Sequence, residues 1–353
     1  MISLAIDCRM INSGGIGTYL RNIIPGILAS GAFTVVIMGD ASELKEFNWF
    51  SKTRFIKLTS NIFSIREHFE LAFKVPKCDV YWAPNINGSI FPTRARKRIT
   101  TIHDVIYLAK KIKFSRSKSL VYRALVNSCL FYSKNIVTVS GFSKAEIIRY
   151  TNTDEDKVVV IPNAVCTTFT SGFVYKPIET PYVLCVGNVK PHKNLKIALQ
   201  AFKELALVNY KFFVVGKKEG FITGHSDLFE MINGLKEKVV FTGLVSEGEL
   251  KNFYANAKLF LFPSLYEGFG IPILEAMMFK IPIVASCAAS IPEVGGEGII
   301  YFNPQDIEEL KRKILLVLGG GYKVNTTLYE SQIRKFSWQH TIDQHINVFR
   351  NCL

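Results

Sequence analysis

Two carboxylates eight residues apart, Glu267 and Glu275, frame the segment Ser264-Leu265-Tyr266-Glu267-Gly268-Phe269-Gly270-Ile271-Pro272-Ile273-Leu274-Glu275-Ala276. An apolar run, LFLFP, comes immediately before it. The pattern reads as strand, glycine-rich turn and helix start. Gly268 and Gly270 let backbone amides approach a ligand closely, and Pro272 suits a first helical turn. The unpaired amides and the dipole at such a helix start favour an anion. Glu267 then falls at the carboxyl end of the strand. Glu275 falls one turn into the helix, where a carboxylate can accept hydrogen bonds from ribose hydroxyls. Taken alone, the motif also admits a plainer account, in which Glu275 complements the helix dipole and Glu267 closes a turn.

Three other segments are built alike. Residues 183–195 run from an apolar strand through Gly187 and Asn188 into a loop with Lys190, His192 and Lys193. Lys193, near a helix start, is a strong phosphate ligand, although a solvated basic loop has the same composition. Gly14, Gly15 and Gly17 follow the first strand in Asn12-Ser13-Gly14-Gly15-Ile16-Gly17-Thr18-Tyr19. This matches neither the dinucleotide fingerprint nor the P-loop, and a plain strand–helix turn and a phosphate or sugar contact both fit. His103, after Thr100-Thr101-Ile102, can donate to a substrate hydroxyl or carry protons; with Asp104 it can equally just close a strand. Asp154-Glu155-Asp156 spells a D-x-D pair, but its setting after Thr151-Asn152-Thr153 and before a strand marks a solvated turn. His340 and His345, five apart, do not align on one helical face. There is no G-x-S-x-G, and no metal site is expected.

The elements that must position these residues alternate along the chain. Strands are expected at 2–7, 33–38, 54–58, 80–83, 98–102, 136–139 and 158–161, then at 182–186, 212–215, 239–241, 259–262, 283–286 and 298–301. Helices are expected between them, among them 16–29, 118–133, 194–205, 246–256 and 271–279. Strand and helix in alternation, with wholly apolar strands, predict an α/β protein with doubly wound parallel sheets. Periodicity lapses after Pro162-Asn163. This predicts an N-terminal domain over 1–165, a linker over 166–181 and a second domain over 182–336. A closing helix within 337–353 is expected to pack back on the first domain. Two such domains in series imply a ligand cleft at the carboxyl ends of their strands.

With 353 residues, 48% of them hydrophobic, the chain can fill two cores. No long uncharged apolar run suggests a membrane-spanning helix, and MISLAIDCRM reads as a first buried strand rather than a signal peptide. The seven scattered cysteines include no C-x-x-C pair, which predicts reduced thiols in a cytoplasmic protein. Net charge is +14, unevenly spread: residues 1–170 hold 23 Lys and Arg against 12 Asp and Glu, and residues 171–353 hold 20 against 17. A basic first half implies an anionic partner, whether nucleic acid, an anionic membrane face or a phosphorylated substrate. Residues 110–134 mix Lys110, Lys111, Lys113, Arg116, Lys118, Arg123 and Lys134 with aromatic and aliphatic residues, and residues 63–73 add aromatic surface. A membrane-surface helix and a helix packed on its sheet with a basic outer face both account for the stretch.

Together the segments GGIGTYLRN, IHDVIYL, TVSGFSKAEI, VIPNAV, YVLCVGNVKPHKNL, VVFTGLVSEGEL, LFLFPSLYEGFGIPILEAM and IPIVASCAASIPEVGG resemble, in order and over nearly the whole chain, the retaining glycosyltransferases of family four. The Glu-x7-Glu signature is met by Glu267 and Glu275. The resemblance is greatest to mannosyl-transferring members that build bacterial surface polysaccharides such as lipopolysaccharide. It implies the GT-B fold, two Rossmann-like domains facing a central cleft, and these roles. Glu275 binds the donor ribose. Gly268, Phe269 and Gly270 set backbone amides by the donor sugar and diphosphate, and Gly187 and Asn188 are donor-binding positions as well. Lys193 neutralises the leaving diphosphate. Glu267 holds sugar hydroxyls and steadies charge at the anomeric carbon, His103 contacts the donor sugar, Gly15 and Gly17 allow approach to the phosphates, and Val245 lies by the nucleobase. It further implies a nucleotide-sugar donor, GDP-mannose by preference, with no metal or other cofactor. The acceptor would be a glycan or lipid-linked glycan, and the setting the cytoplasmic membrane face, reached through the basic N-terminal domain. His192 stands where the family often has arginine, as does Asn188, which leaves Lys193 and Lys190 as phosphate cations. Ala164, Gly141 and Glu297 also depart from the pattern. Epimerases, phosphorylases and a non-catalytic partner protein can share the fold. The Glu-x7-Glu signature speaks against the first two, and His103, Lys193, Glu267 and Glu275 against the third. No nucleic-acid motif is present, and nucleic acid is not expected as a partner.

Overall fold

The computed structural model describes residues 1–109, 116–166, 168–217, 232, 234, 235 and 237–353. Lys110, Lys111, Lys113 and Phe114 of the basic stretch lie outside the described residues, as does the side chain of Arg116. The chain divides into two compact units, Met1–Asn163 with Ser337–Leu353, and Ala164–Phe336.

In the first unit the apolar runs become seven strands: β1 Ile2–Asp7, β2 Phe33–Gly39, β3 Arg54–Lys57, β4 Val80–Ala83, β5 Lys97–Thr101, β6 Asn135–Thr138 and β7 Val158–Val160. They form one parallel sheet in the order β3-β2-β1-β4-β5-β6-β7. The order reverses between β1 and β4. Loops leaving those two strands on opposite sides open a crevice at the carboxyl edge. Helix Gly14–Ala29 covers one face, and helix Trp338–Asn351 lies on it: Ile342, Ile346 and Phe349 share a core with Ile23, Ile24 and Ile27. A Cβ on Gly26 would collide with Ile342, so this glycine sets how closely the two helices approach. Burying those three side chains stabilises the closing helix by roughly 1.5–3 kcal/mol each.

The second unit holds β8 Tyr182–Val186, β9 Lys211–Val215, β10 Val239–Gly243, β11 Leu259–Phe262, β12 Ile283–Ser286 and β13 Ile300–Phe302. These also run parallel, in the order β10-β9-β8-β11-β12-β13, with the reversal between β8 and β11. Every strand segment read from the sequence is a strand, with ends displaced by a residue or two. All seven cysteines are free thiols. Among the described residues no helix is long and apolar enough to cross a membrane.

Candidate functional site

In the second unit, the reversal brings two loops together, one after β8 and one after β11. Where β8 ends, Gly187 takes φ +140 and its carbonyl presses on Gly216, which itself has φ +146 after β9. Any Cβ on Gly216 would strike that carbonyl, so the turn depends on glycine meeting glycine. Gly216 N–H donates to Gly243 O at 3.0 Å, tying the same corner to β10. Asn188 acts within this corner, accepting Lys217 N–H on Oδ1 at 3.0 Å. The short turn Pro191–Lys193 follows, closed by Asn194 in the left-handed conformation with its amide donating to Pro304 O at 2.9 Å.

This turn aims Lys193 at the other loop. Its Nζ donates to Glu267 Oε1 at 2.6 Å and lies 5.3 Å from the Phe262 ring centroid. The pair is mostly covered, with side-chain exposures of 23% and 13%. A second link joins the loops, Leu265 N–H to His192 O at 2.7 Å. Burial depresses His192 to about 4, against the opposing pull of Glu267, so the imidazole is neutral near pH 7 and adds no cation.

Ser290 holds the second loop from β12's side. Its hydroxyl lies 3.0 Å from Glu267 O and 2.8 Å from Phe269 O. Phe269 turns its ring inward onto Phe336 at 5.3 Å, which leaves its backbone as the part available to a ligand. Gly270, at φ +118, caps helix Ile271–Met278, and Pro272 sits in the first turn. Glu275 follows one turn in, where its Oε2 accepts the Tyr254 hydroxyl at 2.7 Å. Tyr254 is fixed among Phe279, Phe260 and Phe169. Burial raises the Glu275 carboxyl to about 7, the Tyr254 hydrogen bond pulling it down and Glu247 adding to the rise. Val245 is half-buried just ahead of helix Glu247–Asn256, whose start is secured by the reciprocal Ser246–Glu249 cap. Tyr254 and Ser290 were not picked out from the sequence. Tyr254 lies in no motif and Ser290 only in the run IPIVASCAASIPEVGG, and each is identified by what it touches.

In the first unit, His103 follows β5. Its Nε2 lies 3.0 Å from Pro84 O, an acceptor only, so Nε2 carries the proton and Nδ1 a lone pair. Burial lowers its pKa to about 4, and the ring is neutral at pH 7. It stands edge-on to Tyr19 with centroids 5.0 Å apart. Behind it a hydrogen-bonded chain runs from Trp82 Nε1 to Thr101 Oγ1 at 3.0 Å, to Tyr19 OH at 3.2 Å, and to His345 Nε2 at 2.5 Å. His345 Nδ1 meets Thr341 O at 2.7 Å, so Nδ1 is the donor and Nε2 accepts from Tyr19. His345 is thus a buried support of the His103 region, although its spacing from His340 carried no signal. Gly15 is exposed and open around its Cα, but Gly17 is buried against the Ile11 carbonyl, with Arg21 at 2.9 Å from any added Cβ. Gly17 therefore serves packing inside the unit, whereas Gly14 and Gly15 leave backbone exposed. Asp154 caps the turn Glu155–Lys157 at the surface. No group of His, Cys, Asp and Glu that could hold a metal occurs among the described residues.

Comparison with known proteins gives this arrangement its relatives. Residues 173–332 match the family Glycosyl transferases group 1, and residues 13–169 match Glycosyltransferase Family 4. The chain is 29% identical over 289 residues to O-antigen chain mannosyltransferase B of Escherichia coli, covering 77% of this chain and 74% of that protein. It is 31% identical over 211 residues to O-antigen chain mannosyltransferase RfbU of Salmonella typhimurium, covering 60% of this chain and 58% of the relative, less than two thirds of its length. In fold it is similar to HepE of Anabaena, solved in complex with UDP-glucose, with a TM-score of 0.77 at 18% identity over 100% of both chains.

Proposed function

This chain belongs to the group 1, family 4 glycosyltransferases of GT-B fold, and we propose that it transfers a hexose, mannose by preference, from a nucleotide-diphosphate sugar to a glycan or lipid-linked glycan during surface polysaccharide assembly. Mannose follows the names of its relatives; GDP-mannose as the donor follows the family resemblance. The observation that carries the reading is the meeting of Lys193 and Glu267 where the second sheet reverses, beside a glycine turn and a helix start. Glu275, one turn along, accepts the ribose hydroxyls. The amides of residues 268–270 and Lys193 take the charge that builds on the diphosphate as the sugar leaves. Glu267, released from Lys193 as that charge arrives, steadies the oxocarbenium-like sugar. These groups supply the positive charge themselves, so the reading calls for no metal or other cofactor. Retention of configuration, with the donor phosphate helping to take the acceptor proton, and a cytoplasmic setting belong to the same proposal.

The test is a screen of GDP-, UDP- and dTDP-sugars for binding and then for slow donor hydrolysis, in the wild type and in Glu275→Ala. One donor binds saturably and the substitution weakens it strongly. Absence of binding by every nucleotide sugar would sink the proposal.

A further inference from the structure

Away from its sheet reversal, the first unit carries a groove of about 740 Å³. One wall is helix Gly14–Ala29 from Arg21 onward. The other is the segment between helix Ala41–Leu44 and β3, from Glu46 to Lys52. None of the residues assigned to the donor lines it.

The second wall is built stiffly. Residues 44–53 wind through consecutive tight turns. Phe47 N–H donates to Leu44 O at 3.1 Å, Phe50 N–H to Phe47 O at 2.9 Å, and Lys52 N–H to Trp49 O at 3.1 Å. Leu44 is buried in the core of the unit and anchors the run. These turns set Phe47 and Trp49 side by side, stacked with centroids 5.2 Å apart and planes 14° from parallel. Both rings lean on the core, stay partly open and line the groove. A ring pair fixed in this way needs no ordering when a ligand arrives.

Around the rings the groove is polar in both senses. Asn48 can donate and accept, Glu46 accepts and Lys52 donates. These three residues are exposed, and their side chains hold no partner among the described residues. Arg21 is fixed instead, its NH1 donating to Ile11 O at 2.6 Å and its NH2 to Thr18 Oγ1 at 3.2 Å.

That mixture selects the ligand. A sugar ring has an apolar C–H face and a rim of hydroxyls that both donate and accept, so it uses aromatic surface and mixed polar groups together. A nucleic acid calls for a field of one sign, whereas here Glu46 stands against Lys52 and Arg21 is engaged within the unit. A wholly apolar segment would cover Glu46 and Asn48 without pairing them, at a cost. Place narrows the choice further. The helix starts at Gly14, on the carboxyl edge of the first sheet, the edge where β5 delivers His103. At a rise of 1.5 Å per residue, Arg21 stands about 10 Å and Ala29 about 22 Å along from that start. A single sugar held at the edge does not reach the groove; a chain of several sugars does.

We propose that this groove is a second carbohydrate site, which holds the already built part of a glycan while its end is extended at the carboxyl edge of the sheet. The ligand class rests on the reading of the chain as a transferase that extends a glycan, but not on which donor it uses.

Calorimetric titration of the whole chain without donor tests this, with α-linked manno- and gluco-oligosaccharides as probes, each as the disaccharide and the octasaccharide. One octasaccharide binds at least about tenfold more tightly than its disaccharide, because only the longer chain spans edge and groove. Trp49→Ala weakens that octasaccharide about tenfold and leaves the disaccharide unchanged. Asn48→Ala with Lys52→Ala weakens it as well; both positions are exposed, so this variant melts like the wild type. Leu315→Ser, at an exposed leucine of the second unit, binds like the wild type. In transfer assays the two groove variants raise KM for the octasaccharide and leave kcat and donor hydrolysis in place. Octasaccharide binding unchanged in either groove variant would overturn the proposal. So would absence of binding by both octasaccharides, or a wild-type dimer that Trp49→Ala makes monomeric, which would give the groove to a second copy. Lost groove binding with intact donor hydrolysis removes the second site alone; octasaccharide binding without hydrolysis of any donor removes the enzymatic reading alone.

Discussion

A carboxyl raised to about 7 makes donor binding depend on pH in a calculable way. If Glu275 accepts the two ribose hydroxyls, only its ionised form does so. The ionised fraction climbs from about 0.1 near pH 6 to about 0.9 near pH 8, so affinity for the intact nucleotide sugar rises about tenfold over that span. His192, lowered to about 4, has already lost its proton. The diphosphate of a sugar nucleotide is a diester without a proton that titrates near neutrality, which is why the intact donor and not the free nucleotide is the ligand to use. Calorimetric titration across the range reads the effect. Glu275→Gln binds more weakly and loses the pH dependence. Tyr254→Phe removes the hydrogen bond that pulls the carboxyl down, so its profile moves to higher pH. A wild-type affinity flat over the range, or a slope that survives in Glu275→Gln, would refute the ribose role.

Three further expectations follow from the same geometry. Because the folded carboxyl of Glu275 titrates above its ordinary value of 4.5, the stability it contributes is complete below that value and lost as pH rises through about 7. The loss amounts to about 3 kcal/mol, so Glu275→Gln without ligand melts higher than wild type near pH 8 and about equally near pH 4; equal melting at both pH values would contradict the shift. Lys193→Met leaves Glu267 half-buried without its partner at 2.6 Å and destabilises the second unit by about 1–3 kcal/mol. The double variant with Glu267→Gln recovers stability in denaturant titration but not donor turnover, and recovered turnover would show that the pair is only structural. Gly17→Ala, crowded by Ile11 O, loses stability by about 1–3 kcal/mol, whereas Gly15→Ala, open all round, keeps or gains stability in thermal melts; a loss in Gly15→Ala like that of Gly17→Ala would show the two positions to be equally crowded.

Much of the fold was legible because its signals are local. Residues 259–262 are apolar without alternation, as strands covered on both faces are, and Gly270 with Pro272 marks a helix start one residue at a time. The same locality explains what was missed. Nothing near Glu275 announces Tyr254, and nothing near His103 announces His345, because those contacts cross from one element to another. Gly17 looked like part of a ligand-binding turn because glycine is permissive there; only the Ile11 carbonyl packed against it shows that the missing side chain is needed inside the unit.

By itself the sequence determined the elements, their parallel α/β character and the residue types at each strand end, since backbone preference and apolar period are properties of neighbours along the chain. The meeting of Lys193 with Glu267 across 74 positions was decided by the tertiary structure, because it depends on β8 lying next to β11 where the sheet order reverses. The direction of helix Ile65–Lys74 was decided there too. Its apolar stripe alone would predict the opposite face inward, and it is the buried Arg9, with Asp7 and Asn87, that holds Glu67 in and leaves Phe69 and Phe73 out.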